Sequence, residues 1–86
     1  MSEKEFYKWL GGRLRELRKM RNQTQEELCQ EFHLARSSLA NIERGGRVIS
    51  AYNLYLLLGV LNIPLETLFN GQLQNDSNKE SNLRNV

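Results

Sequence analysis

Cysteine and proline each occur only once in this 86-residue chain, as Cys29 and Pro64. A lone cysteine excludes an internal disulfide, and a lone proline leaves nearly the whole chain free to form helices. Aromatic residues make up 8% of the sequence, and nowhere do apolar and polar residues alternate as in a half-buried strand. The expected fold class is therefore all-α. The longest apolar run, LYLLLGVL at residues 54–61, is far short of the roughly 20 residues that span a bilayer, so no membrane partner is expected. The N-terminus carries no apolar signal segment, and with the cysteine usage this points to a cytoplasmic protein.

Catalytic constellations are equally scarce. Cys29 and His33 lie one helical turn apart, but no acid or second histidine stands ready to orient His33 as a base. Two potential ligands do not make a metal site. Glu27 and Glu31 fall on a solvent-facing side, and neither glycine pair forms a phosphate-binding loop. No enzyme activity, metal or cofactor is expected.

What the sequence does contain is helical punctuation. Phe6, Leu10, Leu14 and Leu17 form one stripe of a first helix running from Glu3 or Phe6 to Met20. Gly11-Gly12 falls inside it, at about 1 kcal/mol per glycine relative to alanine, which predicts a kink or a separate first turn. Thr24 and Glu27 have the spacing of a capping box and open a second helix that buries Leu28, Cys29 and Phe32 and ends near His33. A third helix runs from Ala35 or Arg36 to Arg44, with Leu39 and Ile42 inward and Gly45-Gly46 as its stop. Ser50 caps a fourth helix, whose inward stripe is Leu54, Leu57, Leu58 and Leu61. Pro64 starts a short fifth helix, Leu65 to Phe69, ending at Asn70-Gly71. The reading is one domain over residues 1–71. The tail QLQNDSNKESNLRNV, residues 72–86, has too few apolar groups to offset its ordering entropy and is expected to be disordered.

The formal net charge is only +2, yet its placement is uneven. Between Gly11 and Arg47 stand Arg13, Arg15, Arg18, Lys19, Arg21, Arg36, Arg44 and Arg47 against five glutamates, which concentrates positive charge on part of the fold. The second and third helices, joined by a very short connection, make a helix-turn-helix pattern over about residues 24–44. On the side of the third helix opposite Leu39 and Ile42 lie Arg36, Ser37, Ala40, Asn41 and Arg44. Arginine can grip guanine O6 and N7, asparagine adenine N6 and N7, and serine either base edge. This face has the chemistry needed to read double-stranded DNA.

The stretch GGRLRELRKMRNQTQEELCQEFHLARSSLANIERGGRVIS, followed by LNIPLETLF, resembles the Cro/CI-type (XRE-like) helix-turn-helix regulators over about residues 10–70. Its most specific elements are Arg13-Leu14-Arg15, Leu17-Arg18, Thr24-Gln25, Glu27-Leu28, the Ser37/Ser38-Leu39 step and Ile42-Glu43-Arg44-Gly45. The resemblance implies a compact five-helix, lambda-repressor-like domain that binds a palindromic operator as a homodimer, with its third helix in the major groove. Position by position, it implies base reading by Arg36, Ser37 and Asn41, and phosphate or minor-groove contacts by Gln25, Ser38 and Arg47. It also implies a structural ion pair between Arg18 and Glu43, and dimerisation near the fifth helix and the segment beyond it. Tyr52, Tyr55, Leu56 and Val60 add apolar surface on the side of the fourth helix away from its core stripe, and with Leu65 and Phe69 they form the candidate dimer or partner surface. Phe6, Tyr7 and Trp9 either join that surface or cover the fourth or fifth helix within one monomer. Three positions depart from the family pattern: His33 stands where a turn glycine is common, Ala35 where serine or threonine usually caps the third helix, and Ile49 where proline is frequent. The expected function is transcriptional regulation as a repressor, with a restriction–modification controller as an alternative. The rival is an antitoxin or adaptor that uses the same fold to bind another protein.

Overall fold

The computed structural model describes residues 1–70; the expectation for residues 72–86 lies outside them. Four helices, α1 (Glu3–Met20), α2 (Gln25–Phe32), α3 (Arg36–Glu43) and α4 (Ala51–Leu61), are followed by α5 over residues 65–70. Among the described residues there is no strand, and no helix is long and apolar enough to cross a membrane.

Helix starts follow local chemistry. Ser2 Oγ accepts the Glu5 N–H at 3.1 Å while Ser2 N–H donates to Glu5 Oε1 at 2.9 Å. Thr24 and Glu27 repeat this reciprocal arrangement at α2, at 3.1 and 2.8 Å, and Ser50 Oγ accepts the Asn53 N–H at α4. In each case backbone donors that the helix leaves unpaired are satisfied. Among α1 to α4, α3 departs from the scheme: Ala35 sits at its N-cap and offers no side-chain bond.

The ends of α1, α3 and α4 share one device. Asn22, Gly45 and Asn62 take left-handed backbone angles. The following amides then bond back to Arg18, Asn41 and Leu58 carbonyls at 3.3, 2.9 and 3.0 Å, the Schellman pattern. His33 after α2 is also left-handed, at φ 56°, so a β-carbon occupies a conformation that favours glycine.

The glycine pair does not break α1, which is one continuous helix from Glu3 to Met20. Gly11 is buried where α1 crosses the C-terminal end of α3: an added β-carbon would lie 2.0 Å from the Ile42 carbonyl oxygen. The missing side chain allows this crossing, and its tertiary contact outweighs the local propensity cost. Around the crossing Leu10, Leu14, Leu17, Leu28, Phe32, Leu39, Ile42, Ile49, Leu57, Leu58, Leu61 and Leu68 form a single core. Each such side chain contributes about 1.5–3 kcal/mol on burial. Their common effect here is to fix α3 from behind, leaving its other side exposed.

The aromatic N-terminus folds onto α5 of the same chain. Phe69, expected on a partner surface, is half-buried and stacks on Phe6 and Trp9 with ring centroids 6.2 and 5.6 Å apart. Leu56 and Val60 are likewise half-buried against the core. Tyr52, Tyr55 and Leu65 stay exposed, at 67, 72 and 56%.

Candidate nucleic-acid interface

The exposed side of α3 is anchored through one buried carboxylate. Glu43 ends the helix, where a negative charge meets the negative end of the helix dipole, and Arg18 of α1 offsets this with a two-pronged contact. Arg18 Nε donates to Glu43 Oε2 at 2.7 Å and Nη2 to Oε1 at 2.9 Å. The carboxylate raises the pKa of the guanidinium further. The remaining prong, Nη1, donates to the Gln23 carbonyl at 2.6 Å. Gln25, the first residue of α2, donates from Nε2 to Glu43 Oε1 at 2.9 Å. One carboxylate thus ties α1, α2 and α3 together, and both the charge and the hydrogen-bond capacity of this pair are matched on burial.

Beside this anchor, Gln25, Arg36, Ser37, Ala40, Asn41 and Arg44 line a shallow polar depression. Arg36 and Ser37 are exposed and Asn41 half-buried. Arg36 pairs with no carboxylate among the described residues. Arg44 Nη2 donates to Asn41 Oδ1. At the edge of the same helix, Arg47 Nη1 donates to Ser38 Oγ. The three residues expected to read bases are therefore gathered on one accessible face. Two of those expected on phosphates, Ser38 and Arg47, meet each other, and Gln25 shares its amide with the buried pair.

The run of positive charge proves to have two uses. Arg13 donates to the Leu68 and Thr67 carbonyls at 3.2 and 2.9 Å and pairs with Glu16. Arg21 donates to the Leu61 and Val60 carbonyls at the end of α4. Together with Arg18, these residues hold the fold by occupying backbone acceptors and the buried carboxylate. Arg36, Arg44 and Arg47 keep their positive charge on the exposed side. Sequence reasoning missed the structural roles of Arg13 and Arg21 because their partner carbonyls lie about 40 to 55 residues away.

Cys29 is half-buried against the core, and burial raises its thiol pKa. A thiol kept protonated is a poor nucleophile. His33 meets it through the backbone, where His33 N–H donates to the Cys29 carbonyl at 2.9 Å.

The helix-turn-helix family profile matches residues 14–68, from the middle of α1 into α5. The chain belongs to the Cro/CI-type (XRE-like) helix-turn-helix family. Among solved structures, this helix-turn-helix chain is similar to the restriction–modification controller protein C.AhdI from Aeromonas hydrophila. The two share 35% identity with a TM-score of 0.75, covering 80% of this chain and 100% of that one. No curated protein sequence matches it. The helix-turn-helix unit carries two departures in its connection, the left-handed His33 and the uncapped Ala35, yet α3 retains a full helix of 8 residues.

Proposed function

We propose that this helix-turn-helix protein is a sequence-specific regulator of transcription that binds double-stranded DNA, with α3 in the major groove. The observation that carries this reading is the accessible face shared by Arg36, Ser37 and Asn41, held by the Arg18–Glu43–Gln25 network. Bidentate arginine and polar amide groups match the edges of base pairs, and a rigid support keeps them in register. Gln25, at the positive end of α2, and the Ser38–Arg47 pair take phosphate or minor-groove contacts, which set position rather than sequence.

Two copies bind a palindromic operator, with their α3 helices about 34 Å apart, one turn of DNA. The surface for pairing is the apolar groove of ≈ 630 Å³ between α4 and α5, lined by Leu54, Tyr55, Leu58, Ile63, Pro64 and Leu65 among others. Similarity to C.AhdI along the whole of that controller protein favours control of a restriction–modification system over an antitoxin or adaptor role. A repressor acts through the same occupied operator.

Titration of a selected duplex tests the reading. Affinity falls steeply with salt as counterions are released, and Arg36→Ala loses about 1–3 kcal/mol with relaxed preference at one base pair. Negligible duplex binding at low salt would rule it out.

A further inference from the structure

The amide of Asn41 is not free to turn. Arg44, one helical turn along α3, donates from Nη2 to Asn41 Oδ1, and a guanidinium has donors but no acceptor. The amide oxygen must therefore face Arg44, which leaves Nδ2 as the group presented to the depression that both residues line. Glu43, the nearest carboxylate in sequence, is held by Arg18 and Gln25. It does not draw Arg44 away.

Reading adenine with asparagine takes both ends of the amide: the oxygen accepts from the N6 amine while the nitrogen donates to N7. With a guanidinium on the oxygen, one of its two lone pairs is engaged, and an approaching N6 amine meets a positive charge that repels its hydrogens. Guanine places two acceptors, N7 and O6, in the same part of the groove. The Asn41–Arg44 pair offers mainly donors, from Nδ2 and from the unused guanidinium N–H groups, and the one lone pair left on Oδ1 lies beside a positive charge.

We propose that Arg44 is a specificity-determining residue that acts with Asn41, so that the pair reads guanine where asparagine alone would read adenine. The inference rests on the DNA-binding function proposed above. It extends that function by assigning Arg44 a role and the pair a preferred base.

Selection of bound sequences from a random duplex pool tests it, using the full chain and the variants Asn41→Ala, Arg44→Ala and Arg44→Gln. The base pair read by Asn41 is the one whose preference disappears in Asn41→Ala. The unsubstituted protein should enrich guanine there. Both Arg44 variants should shift the guanine-to-adenine ratio toward adenine by about tenfold, the size of one good bidentate contact. Arg44 is exposed, so the melting temperature should not move. Two results overturn the proposal while leaving DNA binding intact: adenine at that position in the unsubstituted protein, or Arg44 variants that bind every sequence more weakly with the guanine preference kept, as a phosphate contact would. A pool from which the unsubstituted protein enriches nothing removes the DNA-binding reading itself, and this proposal with it.

Discussion

A methyl group added at Gly11 would lie 2.0 Å from the Ile42 carbonyl oxygen and 2.9 Å from that of Glu43. Both are backbone atoms at the end of α3, so neither can swing aside as a flexible side chain would. The same addition at Gly12 meets nothing within 4 Å. The two substitutions should therefore have opposite signs. Gly12→Ala gains about 1 kcal/mol from helix propensity. Gly11→Ala loses about 2 kcal/mol or more, because forcing α1 from α3 outweighs that gain. Urea midpoints with unchanged slopes would show the split. A loss of similar size for both variants would place the cost in the helix itself.

Glu43 poses a different problem at the same scale. Its side chain is 2% exposed and that of its partner Arg18 is 7% exposed, so removing one charge strands the other away from water. Glu43→Ala should cost about 3–5 kcal/mol, whereas the double variant Arg18→Met/Glu43→Leu should cost far less, since no unpaired charge remains. Denaturant unfolding of the single and double variants gives the comparison. A double variant as unstable as Glu43→Ala would mean that the contact to Gln25, rather than charge matching, holds the anchor.

At the scale of the element, the starts of α1 and α2 contribute to the pH dependence. Hydrogen bonds from Thr24 hold the Glu27 carboxyl below the usual carboxylate range, and Ser2 does the same to Glu5. A carboxylate with a depressed folded pKa stabilises the fold fully above the unfolded value, about 4.3. That contribution is lost as pH falls through the folded value, because the unfolded chain then binds the proton more readily. Stability should decline as pH falls from 5 to 3, and Glu27→Gln should make that decline shallower. Thermal melts across that range would measure it, and an unchanged slope would move the acid sensitivity elsewhere. The opposite opportunity exists at α3, where Ala35 already has extended backbone angles and no capping bond. Ala35→Ser should stabilise the fold by about 1 kcal/mol.

These same elements mark what could be read from the amino acids alone. Thr24 with Glu27, Ser50, and Gly45-Gly46 act through neighbours a few residues away, so their spacing alone marks the helix ends. Gly11 looked like a break because its advantage comes from α3, more than thirty residues on, whereas its cost is local. Arg13 and Arg21 looked like part of one charged face for the same reason: a side chain does not announce which distant carbonyl it will reach. The Arg18–Glu43 pairing was visible only through family resemblance. The sequence does not distinguish the stacking of Phe69 on Phe6 and Trp9 from a partner contact, since aromatic residues at both ends of a domain are compatible with either.

For the whole molecule, DNA recognition by one short helix is limited by how few base pairs 8 residues can touch. A second copy doubles that number and turns the second contact into an intramolecular event, which raises affinity without any new kind of interaction. The exposed pair Tyr52 and Tyr55, stacked at 6.5 Å, and Leu65 at the rim of the α4–α5 groove are the groups that pairing would cover. A charge placed there should prevent association while leaving α3 untouched. By sedimentation equilibrium at matched concentration, the pairing proposed above should give a dimer for the unsubstituted protein and a monomer for Leu65→Asp. It should bind a single half-site with unchanged affinity and a two-half-site operator at least about tenfold more weakly. Equal weakening on both duplexes would instead mean that α5 supports the reading helix. A dimer that persists with Asp at this position would shift the pairing surface away from the groove. The half-site measurement is the decisive one, because only loss of pairing separates the two duplexes while sparing each copy's own contact with DNA.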